Sequence, residues 1–326
     1  MRKVRIAVAG AGLIGLRHIE ETQRSQSAQL SAIVDPSPRA AEIAKREGVP
    51  IYSSLDELIA KARPDGIVLA TPNQMHVEQG LQCIAAGIPV LVEKPVAHTL
   101  EEGKRLVETA ERANAKLLVG HHRRHSPILH KAVEVIQSGI LGPIVAVMGS
   151  AVFYKPDNYY DEAPWRREPG GGPILINMIH EVGNLRAMVG EIVAVQAFAS
   201  NATRKFSVED TVAINLRFAN GALGTFLLSD TAGSPKSWEQ TSQENKDYAT
   251  YPDEDAYVVM GTSGSLAVPT MRLKYYARTE DRSTLQSIHW LVRRQTEIRL
   301  VGTPRATGEW NARPDGGEPA WHTVRS

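Results

Sequence analysis

Gly10, Gly12 and Gly15 follow an apolar run over residues 4–9 at the spacing G-x-G-x-x-G, a pattern suited to holding a pyrophosphate. Gly10 permits a tight strand-to-helix turn, Gly12 lets the backbone approach the phosphates, and Gly15 lets the helix pack against its strand. The N–H groups at the helix start would face the anion. Asp35 comes 20 residues after Gly15, at the end of the next apolar run. An acid there accepts hydrogen bonds from both ribose hydroxyls and repels a 2′-phosphate. The pattern reads as a dinucleotide site preferring NAD, while Arg39, one helical turn on, offers NADP a partner. Asp35 has a second reading, as the cap of a helix following Pro36.

Lys94 is the leading catalytic candidate. It sits in Glu93-Lys94-Pro95, directly after the apolar run 90–92. An ammonium at a strand end can stabilise a developing alkoxide or polarise a carbonyl. Thr71-Pro72-Asn73 also follows an apolar run and reads as a strand-to-helix turn, with Asn73 as a candidate cap. His76 either lines a cleft or lies partly exposed on a helix. His121-His122-Arg123-Arg124-His125 invites a metal or nucleic-acid reading, but neither Cys pairs nor an H-E-x-x-H helix accompanies it, and no metal is expected. Further on, Gly170-Gly171-Gly172-Pro173 leads into a helix-like run over 174–189. Asn177, His180, Glu181 and Asn184 share one face of it, opposite Met178, Ile179, Val182, Leu185 and Val189. Such a polar face ordinarily meets solvent; the Gly-rich approach also permits close contact between backbone and a ligand.

These residues need elements to hold them. Up to about residue 120, short β-branched runs near residues 4–9, 30–35, 50–52, 66–70, 90–92 and 116–119 alternate with helical patterns at 74–86 and 100–113, with Gly87 placed as a C-cap. That order builds a parallel sheet from βαβ units, with ligands beyond the carboxyl ends of the strands. After Gly120 the pattern changes. Ser126 and Pro127 open a helix that stops at Gly139, and strand-like runs follow at 144–154, 192–200, 208–218 and 222–229. Val212, Ile214, Leu216 and Phe218 alternate with Ala213, Asn215 and Arg217, the pattern of a sheet buried on one face. Asn220-Gly221 marks a hairpin. Residues 234–254 read as a polar loop, and the tail from Thr303 shows no periodicity. The expected fold is therefore α/β: an N-terminal doubly wound Rossmann sheet over residues 1–121, then an α+β domain over 122–326 with a large, mostly antiparallel open sheet.

At 326 residues and 42% hydrophobic, the chain has material for two cores. A net charge of +1, with no block of like charge, argues against a nucleic-acid partner. The single Cys83 excludes an intrachain disulfide and suits a reducing compartment. Arg2, Lys3 and Arg5 before an apolar run imitate a secretory signal, but three glycines interrupt the run, and no stretch is long enough to span a bilayer. A cytoplasmic protein without a membrane partner is expected.

The glycine loop, the segment 70–76, Glu93-Lys94-Pro95 and the Gly-rich turn before His180 together resemble the Gfo/Idh/MocA oxidoreductases, across both domains and in the same order. The resemblance implies a cofactor site at Gly10, Gly12, Leu13, Ile14, Gly15 and Asp35. It adds Thr71, Pro72, Asn73 and His76, then Glu93 and Lys94, and finally His122 and Arg166. It puts His122 and Arg123 near cofactor or substrate, implies a cis Pro95, and matches His180 to the family's histidine, while Asn177, which would orient neighbouring hydroxyls, Arg123 and Trp165 are read as substrate contacts. It further implies a homo-oligomer, dimer or tetramer. One position departs: the family's acid, four residues before the histidine, is Ile176 here.

The expected function is NAD-dependent hydride exchange with a secondary alcohol or ketone of a polyhydroxylated small molecule: a sugar, a cyclitol, or a hydroxylated cyclic acid whose carboxylate Arg123 and Arg166 would hold. His180 would take the hydroxyl proton and Lys94 would steady the alkoxide. Ile176 keeps open a non-catalytic NAD-binding sensor of the same fold, and a redox-neutral hydrolase with tightly held NAD is a third reading.

Overall fold

The computed structural model describes residues 2–246, 248–276, 286–292 and 298–301, and the chain divides into two compact units, Met1–His121 and His122–Ser326. In the first unit, strands β1 (Val4–Ala9), β2 (Ala28–Val34), β3 (Ile51–Tyr52), β4 (Gly66–Leu69), β5 (Val90–Val92) and β6 (Leu117–Val119) form one parallel sheet in the order β3-β2-β1-β4-β5-β6. Successive residues of β1 feed opposite cores. Ala7 and Ala9 pack with Leu69, Val92 and Cys83, whereas Val8 packs with Ile19, Ile33 and Ile43. Both faces are apolar because helices cover both. Those helices are α1 (Leu13–Arg24), α2 (Pro38–Glu47), α3 (Leu55–Lys61), α4 (His76–Ala85) and α5 (Leu100–Arg112). The strand order turns back between β1 and β4, so the loops after these two strands diverge to opposite faces and leave the crevice in which such sheets bind ligands.

The second unit contains α6 (Pro127–Gln137), β7 (Ile144–Val152), α7 (Asp157–Asp161), α8 (Ile179–Met188), β8 (Ile192–Ser200), β9 (Thr211–Phe218), β10 (Leu223–Ser229) and α9 (Trp238–Thr241). Strands β11 (Tyr257–Gly261), β12 (Gly264–Val268), β13 (Arg272–Tyr275), β14 (Gln286–Val292) and β15 (Ile298–Val301) follow. The sheet runs β15-β14-β13-β12-β11-β7-β10-β9-β8, parallel at β7–β10 and antiparallel at every other pairing. Ser126 caps α6 by accepting from the Leu129 N–H at 3.3 Å, and the Asn220-Gly221 turn joins β9 to β10 with Gly221 at φ 89°. On β9, Val212, Ile214, Leu216 and Phe218 are buried and the residues between them exposed. Each buried side chain contributes about 1.5–3 kcal/mol, which pins the register.

The segment 234–254 departs from the loop expected of it. Ser237 accepts from the Gln240 N–H and starts α9, whose Trp238 is buried. One large aromatic side chain seeking the core outweighs the polarity around it. The tail from Thr303 lies outside the described residues.

Candidate functional site

In the first unit the loop after β1 is shaped by the chain itself at two glycines and left open at the third. Gly10 has φ 88°, and a Cβ there would lie 2.5 Å from the Ala70 carbonyl oxygen; at Gly15 it would lie 1.9 Å from that of Gly10. At Gly12 a Cβ would meet nothing within 4 Å. Helix α1 starts directly after Gly12 with no side-chain cap, so its first N–H groups remain for a ligand. Leu13 is 82% exposed beside them and Ile14 is also exposed, leaving bare apolar surface at the mouth of the loop. These features suit the pyrophosphate and flanking groups of a dinucleotide.

Asp35 faces this loop. Its carboxylate accepts from the Ala11 N–H at 2.9 Å and the Ser37 N–H at 2.8 Å. Burial pushes its pKa up, but these hydrogen bonds outweigh burial and hold it below the ordinary value. The helix-cap alternative is corrected here: Ser37, not Asp35, caps α2 by accepting from the Ala40 N–H. Arg39 is exposed and lines an open depression with Glu20, Glu42 and Arg46, where the two acids offset the two cations.

After β4, Thr71 is half-buried and donates to Gln79 Oε1 at 2.6 Å, and Pro72 is exposed. Asn73 does not cap α4 as expected; it opens a 3₁₀ turn, Asn73–Met75, that leads into the helix. His76 is fully buried, which corrects the partly exposed reading. Its Nδ1 lies 2.8 Å from the Pro95 carbonyl oxygen and its Nε2 2.9 Å from that of Thr71, so both ring nitrogens face main-chain carbonyls. The ring therefore ties the loop after β4 to the loop after β5, and its bonding capacity is spent on the protein instead of on a cleft.

Beyond β5, Glu93 is buried and Lys94 half-buried, and the Lys94–Pro95 bond is cis. Glu93 Oε1 accepts from His18 Nε2 at 2.7 Å and Oε2 from the Lys94 N–H at 3.1 Å. Burial pushes the Glu93 carboxyl up, and the His18 contact and the other bonds more than reverse this. A retained negative charge thus lies beside the Lys94 main chain. His18 gave no signal in the sequence because α1 supplies it from 75 residues away.

In the second unit the Gly-rich turn approaches its own chain. A Cβ at Gly171 would lie 2.4 Å from the Trp165 carbonyl oxygen, and one at Gly172 would lie 2.5 Å from Glu209 Oε1, which also accepts from the Ile174 N–H at 2.8 Å. The close approach expected toward a ligand is made by these groups. The helix beyond is not uniform: Ile174–Met178 forms a π-helical turn, and α8 begins at Ile179. Wider i→i+5 bonding moves Asn177 off the wheel position it would otherwise share with His180 and Glu181.

The polar face of α8 points inward. His180, Glu181 and Asn184 are all buried. Glu181 Oε1 accepts from Arg123 at 2.5 Å, its Oε2 accepts from the Tyr257 hydroxyl, and that hydroxyl accepts from Asn184 Nδ2 at 3.1 Å. Arg123 also pairs with Glu239 of α9 and lies 5.7 Å from the Trp238 ring centre. The expected substrate contact of Arg123 is corrected, because two internal carboxylates and an indole occupy a guanidinium that is 4% exposed. Burial pushes Glu181 above its ordinary value despite the pull of Arg123, while Arg123 itself, disfavoured by burial, is held fully charged by Glu181 and Glu239. The exposed His122 ring meets the His180 ring edge-on, with centroids 4.8 Å apart.

Trp165 is exposed, and Arg166 is half-buried, its guanidinium carbon 3.7 Å from the centre of the Tyr159 ring. Asn177 is half-buried and accepts at Oδ1 from Lys155 Nζ, 2.7 Å away. Lys155 was missed in the sequence, although it follows β7 much as Lys94 follows β5.

Two family models divide the chain. Residues 4–121 match the oxidoreductase family, NAD-binding Rossmann fold, of the Gfo/Idh/MocA group, and residues 129–267 match the GFO/IDH/MocA C-terminal domain. The 1,5-anhydro-D-fructose reductase of Ensifer adhaerens is 31% identical over 68% of each chain. The chain belongs to the Gfo/Idh/MocA oxidoreductase family. Its first unit is the family's NAD-binding domain. The rhizopine catabolism protein MocA of Rhizobium meliloti is 30% identical, the match spanning 59% of either chain. Among solved structures, the WlbA dehydrogenase from Bordetella pertussis, in complex with NADH and UDP-GlcNAcA, superposes with a TM-score of 0.70 at 30% identity, covering 82% of this chain and 79% of that one. Among the described residues no helix is long and apolar enough to cross a membrane.

Proposed function

We propose that this protein is an NAD-dependent dehydrogenase exchanging a hydride with a secondary alcohol or ketone of a polyhydroxylated small molecule. The observation that carries the reading is that one chain of this family carries a dinucleotide-shaped glycine loop and Lys94 after β5 in its first unit and His180 on α8 in its second. Bound NAD supplies the two-electron acceptor. In oxidation the carbinol hydrogen leaves with its electron pair, and the hydroxyl proton passes to His180. Lys94 stabilises the alkoxide that develops. The Arg123–Glu181 pair, on the residue next to His180, holds that turn of α8 in place, and His122 supports the imidazole from its edge. The relatives named a reductase of 1,5-anhydro-D-fructose and a dehydrogenase crystallised with a sugar nucleotide support a carbohydrate-like substrate. Asp35 and the acids around Arg39 support NAD over NADP.

We further propose a homo-oligomer, supported by the exposed apolar residues of the second sheet, and residence in the cytoplasm, supported by a lone buried cysteine. Screening polyols, aldoses and hydroxy acids with NAD at the NADH absorbance band tests the activity. At least one class should reduce NAD, and His180→Asn should lose most of that turnover. Tight NAD binding with no turnover across the panel would favour the sensor reading, which the isoleucine at position 176 supports.

A further inference from the structure

Asn177, the neighbour of Ile176, is met by a buried lysine, and that contact gives the side chains around it a direction of recognition. Lys155 is 2% exposed, three residues past the end of β7, and an ammonium so placed costs several kcal/mol unless acceptors and aromatic faces surround it. Its Nζ donates to Asn177 Oδ1 at 2.7 Å and to the Tyr159 hydroxyl at 3.3 Å, and it lies 4.5 Å from the centre of the Tyr159 ring. An ammonium only donates, so the amide atom it meets is the oxygen. That bond occupies one lone pair of the Asn177 oxygen and turns it toward a cation, and the Nδ2–H groups beside it only donate. Arg166, also donor-only, stacks on the same Tyr159 ring at 3.7 Å. Nearby acids serve other groups: Asp230 binds the Tyr160 hydroxyl and Arg204, and Glu209 binds the Ile174 N–H.

A neutral polyol needs acceptors as well as donors, because each hydroxyl carries a proton to place. A carboxylate needs donors alone, and it gains from positive charge beneath them. We propose that Asn177 and Arg166, backed by the buried Lys155 ammonium, anchor a carboxylate of the substrate, so that the substrate is a hydroxy acid or sugar acid instead of a neutral polyol. The proposal rests on the dehydrogenase reading and narrows its substrate class. Lys155 acts through Asn177: it orients the amide and sets the local charge, and is a positioning residue.

The test compares D-glucuronate, D-galacturonate, D-gluconate and quinate with their neutral amides, by NAD reduction and by calorimetric binding to the NAD-loaded protein. At least one acid should exceed its amide by about tenfold or more in kcat/KM or affinity, the scale of one charge interaction in a partly buried site. Lys155→Met should erase that ratio, mainly through KM, and Lys155→Arg should restore part of it. Asn177→Asp, which puts a carboxylate against Lys155, should reverse the ratio in favour of the amide. A lysine that merely supported the fold would affect acid and amide alike. Amides matching or exceeding every acid in both assays would overturn the proposal while leaving the dehydrogenase reading intact. Binding of an acid over its amide without any turnover would overturn the dehydrogenase reading and retain the carboxylate anchor.

Discussion

Lys94 donates its main-chain N–H to the buried Glu93 carboxylate, and its half-buried side chain follows β5. Lys94→Ala should keep NAD affinity and lower kcat by about 10²-fold or more, the usual loss when a charge that stabilises a transition state is removed. Near-normal kcat with an unchanged KM would make Lys94 peripheral. Asp35 belongs at the same scale. Hydrogen bonds from Ala11 and Ser37 hold its carboxyl below the ordinary value, so a negative charge stands beside the glycine loop. Asp35→Ser should narrow the preference for NAD over NADP by about tenfold, as expected when a close like-charge repulsion is relieved. Wild-type protein that already used NADP better would show that Arg39 dominates. Gly10, Gly15 and Asp35 were legible in the sequence because their geometry is local to one βαβ unit. His76 was not, because its acceptors lie on two separate loops.

At the scale of elements, α8 carries its polar residues into the core, and the network around Arg123 makes that tolerable. Arg123→Ala should lower the unfolding free energy by about 3–5 kcal/mol, since it leaves two carboxylates buried without their cation. Denaturant melts measure this directly. The network also carries a pH signature. Burial raises Glu181 above its ordinary value of 4.5, so the folded protein holds a proton that the unfolded chain has already released. The stability Glu181 contributes is therefore full below that ordinary value and declines as pH rises through the raised one. Glu181→Gln removes that decline, so the wild-type advantage over this variant should shrink from pH 4.5 upward. An advantage that grew across the same range would mean the Arg123 pairing controls the ionisation instead. Sequence periodicity found this helix and left its polar face between solvent and a ligand, because period alone cannot tell either from an internal arginine.

At the scale of the molecule, the second sheet leaves apolar side chains uncovered. Phe198 is 77% exposed on the edge strand β8, and Leu227 on β10 and Met148 on β7 continue the same exposed face. Patches of this kind mark interaction surfaces, and an open edge strand invites pairing. A second copy of the chain covering this face would give a dimer or tetramer by light scattering after size exclusion. Phe198→Glu with Leu227→Glu should shift the mass to that of a monomer without loss of secondary structure. A wild-type monomer at micromolar concentration would rule out the oligomer.

What the sequence determined by itself was whatever is written in short-range spacing: the glycine loop with its acid, the alternating strand β9, the Ser126 cap and the two-part order of elements. These depend on backbone geometry within one turn, strand or βαβ unit, and neighbouring residues suffice to specify them. Tertiary structure alone decided which charges are spent. Arg123 looked available for a substrate until Glu181 and Glu239, 58 and 116 residues away, were brought against it. Lys155 drew no notice in the sequence, and only the fold brought Asn177, 22 residues on, to accept from it in the interior. Ion pairing in a low-dielectric core depends on distances in space, and the order of residues along the chain does not encode which carboxylate or amide will arrive.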